Sequence, residues 1–430
     1  MEGTERMDQT ERMDCKDRTI LHCDMNGFFA SVELLSRPDL MDRPVAVCGD
    51  PESRHGIVLA KNEAAKRFGV QTAETIGQAR RKCPGLVLLP AHHDLYEAYS
   101  VKANEIYGRF TDLVEPFGID ESWLDVTGCL HLFGADGKEL ADRIRATVLS
   151  ELGLTCSVGV SYNKIFAKLG SDYKKPDATT VIDRANYRDL VFPLPVSALL
   201  YVGKVATETL ARVGIRTVGQ LASLDRRICV SLLGKVGGLV HEYANGLDDS
   251  PVVPESEQRR AKSVGNGMTF PRDLLGRDDV LWGVALLVDS VGQRLRSARC
   301  RCRTVQVILR SPAFTSISRQ KKLDRPTHST QRITEAAMDI IGASWNWSSP
   351  IRMITVTAQG LEPEDERTET SLETECATGV QRSLFDLEEA VGGKAGGDVD
   401  ERSDRLDAAM DAIRERFGRD VVGFGRKKWR

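Results

Sequence analysis

The run Thr19-Ile-Leu-His-Cys-Asp24 is short and largely apolar, and it ends in an acidic residue. A turn follows it, and then a helical pattern that opens near Gly27 and continues through Phe29-Ala-Ser-Val-Glu33. Apolar runs of this length bounded by turn residues predict a buried strand. We therefore place Asp24 at the carboxyl end of a strand that leads into a helix.

A second stretch, Val114-Glu-Pro-Phe-Gly-Ile-Asp-Glu-Ser-Trp-Leu-Asp-Val-Thr127, predicts two strands with a turn at Pro116 and Gly118. Asp120 and Glu121 then lie at a hairpin. Two divalent cations about 3.5 to 4 Å apart promote phosphoryl transfer when carboxylates from separate strands converge on them. The acids of these two stretches meet that requirement together, although any one of them alone would be an ordinary turn residue.

The rest of the pattern completes a β-α-β-β-α-β order, which is typical of ferredoxin-like sheets. Its elements are a helix around residues 140–152, a strand over 155–160, a helix from Asn163 and a strand over 179–182. A small insertion over residues 44–90 carries two short strands and a helix rich in Ala and Lys. Short helices punctuated by glycines follow between Val196 and Gly246, and the alternating runs after Lys262 predict a separate α+β module.

The formal net charge of −3 conceals a division within the chain of 430 residues. Residues 258–330 carry 15 Lys and Arg against 5 Asp and Glu, which favours contact with nucleic acid over a merely solvated face. Residues 361–410 carry 5 against 15, which predicts a largely unfolded linker.

Several classes of protein are excluded by the sequence. The longest nearly apolar run, Val280–Val288, is far shorter than the ~20 residues of a membrane helix. The charged amino terminus is no secretory signal, so we expect a cytoplasmic protein. There is no Walker phosphate loop and no kinase signature. The ten cysteines include no CxxC pair and are expected to be reduced thiols.

The string Asp24-Met-Asn-Gly-Phe-Phe-Ala-Ser-Val-Glu33 closely resembles the opening motif of the Y-family DNA polymerases, in their DNA polymerase IV branch. Gly118-Ile-Asp-Glu-Ser-Trp-Leu-Asp-Val-Thr127 resembles the second motif of that family. The resemblance implies a multidomain α+β right-hand polymerase that carries out template-directed, low-fidelity translesion synthesis without a proofreading exonuclease. It implies these regions: 1–18, a disordered leader; 19–34 and 91–185, a ferredoxin-like palm; 35–90, small fingers; 186–256, a helix-hairpin-helix thumb; 257–361, an α+β little finger; 362–430, an acidic tail with a short C-terminal helix.

The resemblance also implies the catalytic residues. Asp24 and Asp120 would ligate Mg²⁺ with help from the Met25 backbone carbonyl, and Glu121 would be the remaining catalytic carboxylate, with two Mg²⁺ in the active site. Phe29 would be the steric gate, whose ring leaves no room for a ribose 2′-hydroxyl, and Phe28 would join it in binding nucleotide. Both rings could otherwise be core residues. Many relatives carry a second Asp where this chain has Asn26, which puts a ligand role there in doubt.

Ser157-Val-Gly-Val-Ser-Tyr-Asn-Lys-Ile-Phe-Ala-Lys168, continuing to Lys174-Lys-Pro176, resembles the palm segment that grips the triphosphate of the incoming dNTP. This implies a nucleotide-binding role for Lys168, which shares a helical face with Lys164; a solvated lysine face is the alternative. In the fingers, Glu63 and Lys66 stand where many relatives carry a Tyr and an Arg that contact the phosphates. The resemblance implies that Lys66 binds nucleotide, with the positive charge kept but without the bidentate fork of arginine.

Leu199-Leu-Tyr-Val-Gly-Lys-Val-Ala206 resembles the hairpin of the thumb, in which Gly203 and Lys204 would approach a phosphate of the primer-template DNA. Tyr201 replaces the first glycine usual there. The basic module resembles the little finger, where Arg299, Arg301 and Arg303 are the expected DNA contacts.

The tail contains Gln381-Arg-Ser-Leu-Phe385, which resembles the peptide by which polymerases hold the bacterial sliding clamp. Gln381, Leu384 and Phe385 would make that contact, since apolar residues in a disordered stretch have no core to join. Residues 405–417 predict a short amphipathic helix of unknown purpose. We expect a monomer without membrane contact.

Two alternatives belong to other classes. A catalytically inactive Y-family accessory protein would bridge DNA and clamp, but such proteins lose the acids that this chain keeps. A nucleotidyl cyclase also joins a ferredoxin-like sheet to two metals, but it would need neither a hairpin thumb nor a basic module.

Overall fold

The computed structural model describes residues 18–49, 56–257, 261–364, 394–418 and 421–422. The chain divides into two compact units, Met1–Gln258 and Arg259–Arg430, each with its own hydrophobic core. The predicted leader, apart from Arg18, and the predicted clamp-binding motif lie outside the described residues.

Strands and helices are numbered in chain order. The strands are β1 (Ile20–Met25), β2 (Val45–Cys48), β3 (Val58–Lys61), β4 (Val87–Pro90), β5 (Val114–Pro116), β6 (Glu121–Asp125), β7 (Cys156–Ser161), β8 (Thr179–Ile182), β9 (Ser263–Leu274), β10 (Cys300–Arg310), β11 (Ser316–Thr327) and β12 (Ile351–Pro363). The helices are α1 (Phe28–Leu35), α2 (Glu63–Arg67), α3 (Ile76–Lys82), α4 (His93–Gly108), α5 (Leu130–Phe133), α6 (Gly137–Leu152), α7 (Lys164–Tyr173), α8 (Tyr187–Val191), α9 (Lys204–Arg212), α10 (Val218–Ala222), α11 (Arg226–Leu233), α12 (Lys235–Ala244), α13 (Gly276–Ser297), α14 (Thr330–Ser344) and α15 (Lys394–Phe417).

The first unit is built around a five-stranded sheet with the strand order β5-β6-β1-β7-β8. The central strand β1 pairs antiparallel with both β6 and β7, and β8 pairs parallel with β7. The order β5-β6-β1-β7 is that of a ferredoxin-like sheet, to which α7 and β8 add one more unit. The predicted α+β fold with a ferredoxin-like sheet is therefore confirmed.

The two faces of β1 have different environments, because successive side chains of a strand point to opposite faces. Leu21, Cys23 and Met25 are buried in the main core, to which α1, α4 and α6 contribute. Ile20 belongs to a separate cluster that includes Ala167 of α7. Asp24, four residues after Ile20, therefore directs its side chain to the face of the sheet that α7 covers.

The insertion after α1 forms a small sheet with the order β3-β2-β4. The strands β2 and β3 match the prediction. The parallel strand β4 and the division of the predicted helix into α2 and α3 were not foreseen.

Five short helices, α8 to α12, follow the sheet and share one core with α7 and β8. The turn before α9 places Tyr201 at a φ of 68°, in the left-handed region that favours glycine. This conformation agrees with the expectation that glycine is the usual residue at that position of the hairpin.

The second unit contains a four-stranded antiparallel sheet with the order β11-β10-β12-β9. Helices α13 and α14 contribute with it to one core. The prediction of a short C-terminal helix over residues 405–417 is corrected, because α15 begins at Lys394. The side chains Asp407, Met410 and Arg414 of this helix are buried.

Candidate active site

The three predicted acids lie together at one end of the five-stranded sheet. Asp24 and Glu121 are direct partners in the antiparallel pairing of β1 with β6. Side chains of such partners leave the sheet on the same face, with Cβ atoms about 5 Å apart. Asp120 immediately precedes β6, and its carbonyl oxygen accepts a hydrogen bond of 3.0 Å from the backbone N–H of Met25. The hairpin therefore fixes the positions of Asp120 and Glu121 relative to Asp24 in β1.

Two lysines provide positive charge at this end of the sheet. Lys175 Nζ lies 2.6 Å from Asp24 Oδ2, and Lys168 Nζ forms an ion pair with Glu121 Oε2. Lys168 was predicted to be a site residue, whereas Lys175 was missed. The sequence signal for Lys175 was its place in Lys174-Lys-Pro176, directly after the helix that carries Lys168.

Helix α7 reaches the acids because it lies unusually close to the sheet. A Cβ atom on Gly159 of β7 would fall 1.8 Å from the carbonyl oxygen of Ala167. A Cβ atom on Gly170 would fall 2.9 Å from the Cα atom of Gly159. Only glycine allows this approach at either position, and the approach brings Lys168 within reach of Glu121.

The acids differ in their proton affinity. Burial raises the pKa of Asp24 to about 7, although the ion pair with Lys175 opposes the shift. Burial also raises the pKa of Asp120. For Glu121, burial is outweighed by the contacts of His22 and Lys168 with its carboxylate, which lower its pKa to about 2. The charge of Glu121 also raises the pKa of Asp24 and of Asp120, so the three carboxyl groups form a place where added positive charge is favourable.

The donor set fits Mg²⁺, which prefers carboxylate and carbonyl oxygens. The ammonium groups of the two lysines already pair with carboxylates here, so the pocket accommodates positive charge. In this arrangement, no group of three His, Cys, Asp or Glu side chains among the described residues converges as a ready metal site. The carboxylates face the lysines, and ion binding requires them to exchange these partners.

Asn26, where this chain departs from the motif it resembles, is held by two hydrogen bonds. Its Nδ2 donates to Ser157 Oγ at 2.9 Å, and its Oδ1 accepts from the backbone N–H of Asp177 at 2.8 Å. Both ends of the amide are therefore used to connect β1 to neighbouring segments. This is a structural role, consistent with the doubt about Asn26 as a ligand.

The two adjacent phenylalanines have different environments. Phe28 is 3% exposed and belongs to the main core, so its ring is not available to a nucleotide. The prediction that the Phe28 side chain binds nucleotide is corrected on this ground. Phe29 is only partly buried, and its ring stacks on that of Tyr96 with the centroids 4.1 Å apart and the planes at 12°.

Lys164 does not join Lys168 at the acids. Both oxygens of Glu115 lie 2.7 Å from Lys164 Nζ, which also lies 4.5 Å from the centroid of the Trp123 ring. Lys164 is thus a buried structural cation and not part of a solvated lysine face. Lys66 of α2 is exposed and pairs with Glu63 at 3.2 Å.

The candidate DNA contacts of the first unit lie at the amino terminus of α9. Gly203 is the residue that precedes this helix, and no side chain caps it. The first backbone N–H groups of a helix have no partner within the helix and favour anions such as phosphate. Lys204 is largely exposed at the same end.

The candidate DNA contacts of the second unit are partly engaged with acids. Arg301 lies 2.7 Å from Glu364, and Arg303 forms an ion pair with Glu362. Arg299 is exposed. Arg301 and Arg303 stay partly exposed beside these acids, so the contact of all three arginines with DNA stays a prediction.

Comparison with known proteins agrees with this architecture. Residues 23–172 match the impB/mucB/samB family, and residues 261–372 match the C-terminal domain of that family. A solved Y-family DNA polymerase chimera has the same fold, with a TM-score of 0.71 over 80% of this chain and 99% of its own, at 23% identity. The chain belongs to the Y family of DNA polymerases.

The particular branch follows from close relatives. The DNA polymerase IV of Acetivibrio thermocellus is 45% identical over 93% of this chain and 95% of its own length. The DNA polymerase IV of Moorella thermoacetica is 37% identical over 95% of this chain and 96% of its own. Within the family, the chain lies in the DNA polymerase IV branch. Among the described helices, none has the length and apolar character needed to cross a membrane.

Proposed function

We propose that this chain, a DNA-directed DNA polymerase by family, extends primers across damaged templates with low fidelity and without proofreading, by nucleotidyl transfer assisted by two Mg²⁺. The primer 3′ oxygen gives up its proton and forms a bond to the α-phosphorus of a dNTP, and the bond from that phosphorus to pyrophosphate breaks. The observation that carries the proposal is the pairing of Asp24 with Glu121 across neighbouring strands, with Asp120 at the adjoining turn.

The three carboxylates and the Met25 carbonyl are the groups that would hold the metals. When bound, two such ions stabilise the charge on the attacking and leaving oxygens. Lys168 and Lys175 would be released from Glu121 and Asp24 if these carboxylates held cations instead. Both ammonium groups then lie beside the site, where they are placed to bind the triphosphate.

Phe29 is proposed as the steric gate. The partly buried ring is held against Tyr96, so it cannot easily turn aside to admit a larger sugar. A hydrogen at the sugar C2′ fits against such a ring, whereas a hydroxyl clashes with it.

Duplex DNA is proposed to be held through phosphates, because a polymerase has to accept every sequence. The uncapped start of α9 with Gly203 and Lys204 supports this for the first unit. The exposed Arg299 and the basic composition support it for the second. We also propose that Gln381, Leu384 and Phe385 bind the sliding clamp and that the protein acts as a monomer.

Primer extension by the purified protein tests the proposal. With Mg²⁺, a primed template and dNTPs, the wild type should extend the primer, and Asp120→Ala or Glu121→Ala should reduce the rate by about a thousandfold or more, equivalent to about 4 kcal/mol of transition-state stabilisation. DNA affinity should change little, because phosphate contacts elsewhere provide it.

Glu151→Ala is the matched control, since Glu151 is an exposed acid of the same unit, paired with Arg109. It should extend primers like the wild type. Primer extension by Asp120→Ala or Glu121→Ala at a near wild-type rate would contradict the assignment of these acids to the active site. A wild type that binds DNA but extends nothing would favour the inactive accessory protein.

A further inference from the structure

His22 is a fully buried histidine that the proposed reaction does not yet use. It lies in β1, two residues before Asp24, and it is the cross-strand partner of Trp123 in β6. The two rings meet edge to face, with their centroids 5.2 Å apart. A polar ring in such a place needs partners, because burying an unpaired polar group is costly.

Both ring nitrogens of His22 face functional or supporting side chains. Nδ1 lies 2.8 Å from Ser171 Oγ of α7, and Nε2 lies 3.2 Å from Glu121 Oε2. The approach to Glu121 is oblique, and Nε2 has no well-aligned partner among the described residues. A small movement of the Glu121 carboxylate would align this contact.

The chemistry of the partners fixes the direction of the hydrogen bonds. A carboxylate only accepts, so the contact with Glu121 requires the ring N–H to be on Nε2. Nδ1 then accepts, and the Ser171 hydroxyl donates to it. That hydroxyl also lies 2.8 Å from the Lys168 carbonyl oxygen, so its single proton has two competing acceptors, and donation to Nδ1 withdraws it from the carbonyl oxygen.

The two donors to Glu121 differ in how firmly they are held. Lys168 is a long side chain with many rotamers, and its ammonium group is needed elsewhere when a triphosphate arrives. The His22 ring is enclosed on all sides. Among the described residues, both donors contact Oε2 of Glu121, so Oε1 remains to bind a cation.

We propose that His22 is a positioning residue: through Ser171, it presents an Nε2–H group that holds Oε2 of Glu121 once Lys168 has moved to the triphosphate. Oε1 then stays directed at the metal throughout the reaction. The inference rests on the proposed two-metal function and deepens it. Removing a group that orients a metal ligand commonly costs about 10- to 100-fold in metal affinity or activity.

A pair of variants separates positioning from packing. The side-chain amide of His22→Gln places an N–H group near the position of Nε2, whereas that of His22→Asn places one near Nδ1. His22→Gln should therefore retain at least about tenfold more kcat than His22→Asn. In His22→Asn, the Mg²⁺ concentration for half-maximal rate should rise, while KM for the dNTP should stay within about twofold.

Binding of Mn²⁺, followed by electron paramagnetic resonance with primer-template and a non-hydrolysable dNTP analogue, gives a readout independent of turnover. His22→Asn should bind Mn²⁺ about tenfold more weakly than His22→Gln. Thermal unfolding establishes that both variants are folded. If His22→Asn does not fold, Ser171→Ala tests the same hydrogen-bonded series from Ser171 through His22 to Glu121. This variant should also raise the Mg²⁺ concentration needed for half-maximal rate.

An equal loss of kcat in His22→Gln and His22→Asn would overturn the inference and leave His22 as a packing residue. An unchanged Mg²⁺ requirement in both variants would do the same. Failure of the two-metal proposal gives a different pattern, because Glu121→Ala would then retain wild-type extension and Mn²⁺ binding. The two hypotheses are therefore distinguished by separate variants.

Discussion

The ring of Phe29 stacks on that of Tyr96, and selection against ribonucleotides should depend on the Phe29 ring alone. Phe29→Ala removes the surface against which a 2′-hydroxyl clashes, so the ratio of ribonucleotide to deoxyribonucleotide incorporation should rise at least about tenfold. The ratio of kcat/KM for matched ribo and deoxy substrates on one template measures this. Phe29→Tyr keeps the ring and should keep the discrimination. An unchanged ratio in Phe29→Ala would show that Phe29 only packs.

The positions in the fold that the sequence predicted correctly are those that depend on local signals. Asp120 lies at its hairpin because Pro116 and Gly118 turn the chain there, and no distant contact is needed. Lys164 was placed on a lysine face by helical spacing alone. Its actual position depends on Glu115, which is 49 residues away in sequence and cannot be paired with it from spacing.

At the scale of elements, the close approach of α7 to the sheet matters more for the site than the helix propensity of its residues. The position of α7 depends on Gly159 and Gly170, and this approach carries both Lys168 and Ser171 to β1 and β6. The sequence predicted α7 but gave no measure of its distance from the sheet. The strand β4 was missed because it is short, follows Pro84 and Gly85, and pairs in parallel with a strand that is distant in sequence.

Helix α15 is attached to the second unit by buried ion pairs. Arg414 is 6% exposed and contacts both oxygens of Asp289 in α13, at 2.9 and 2.8 Å. Removing one partner of such a pair leaves a charge without compensation, at a cost on the order of 3 kcal/mol. Arg414→Ala should therefore lower the unfolding free energy of the second unit and weaken the attachment of α15.

Hydrogen exchange of the α15 amides, together with thermal unfolding, measures this effect. Arg416→Ala is the matched control, because Arg416 is an exposed arginine of the same helix and should change stability by less than about 0.5 kcal/mol. Equal protection of α15 in both variants would show that the helix is held by its apolar contacts alone.

At the scale of the whole molecule, the basic and acidic parts of the sequence partly neutralise each other within the second unit. Arg296 of α13 contacts Asp407 and Asp411 of α15, at 3.1 and 2.6 Å. Asp407 also accepts from the backbone N–H of Thr330 at 2.9 Å, so it caps α14. The basic composition of residues 258–330 predicted contact with nucleic acid but gave no sign that Arg296 pairs with acids of α15. The pairing explains why only part of that charge is free for a polyanion.

In sequence, the proposed clamp-binding motif lies between β12 and α15, and both of these elements belong to the second unit. A polymerase that dissociates after few additions rebinds its primer faster when it is held on a ring around the DNA. Tethering increases the effective concentration of enzyme at the primer without changing the active site. Product length should therefore increase with clamp, while the rate of single-nucleotide addition should not.

Replacing Leu384 and Phe385 with Ala should abolish stimulation by the clamp and leave clamp-free extension at the wild-type level, because these residues lie far in sequence from the proposed catalytic acids. Product lengths with and without loaded clamp, for the wild type and the double variant, test this. Replacing Ser383 with Ala is the matched control, since it changes the motif without removing the apolar pair, and it should remain stimulated. If the double variant is stimulated as strongly as the wild type, the clamp contact lies on another part of the chain.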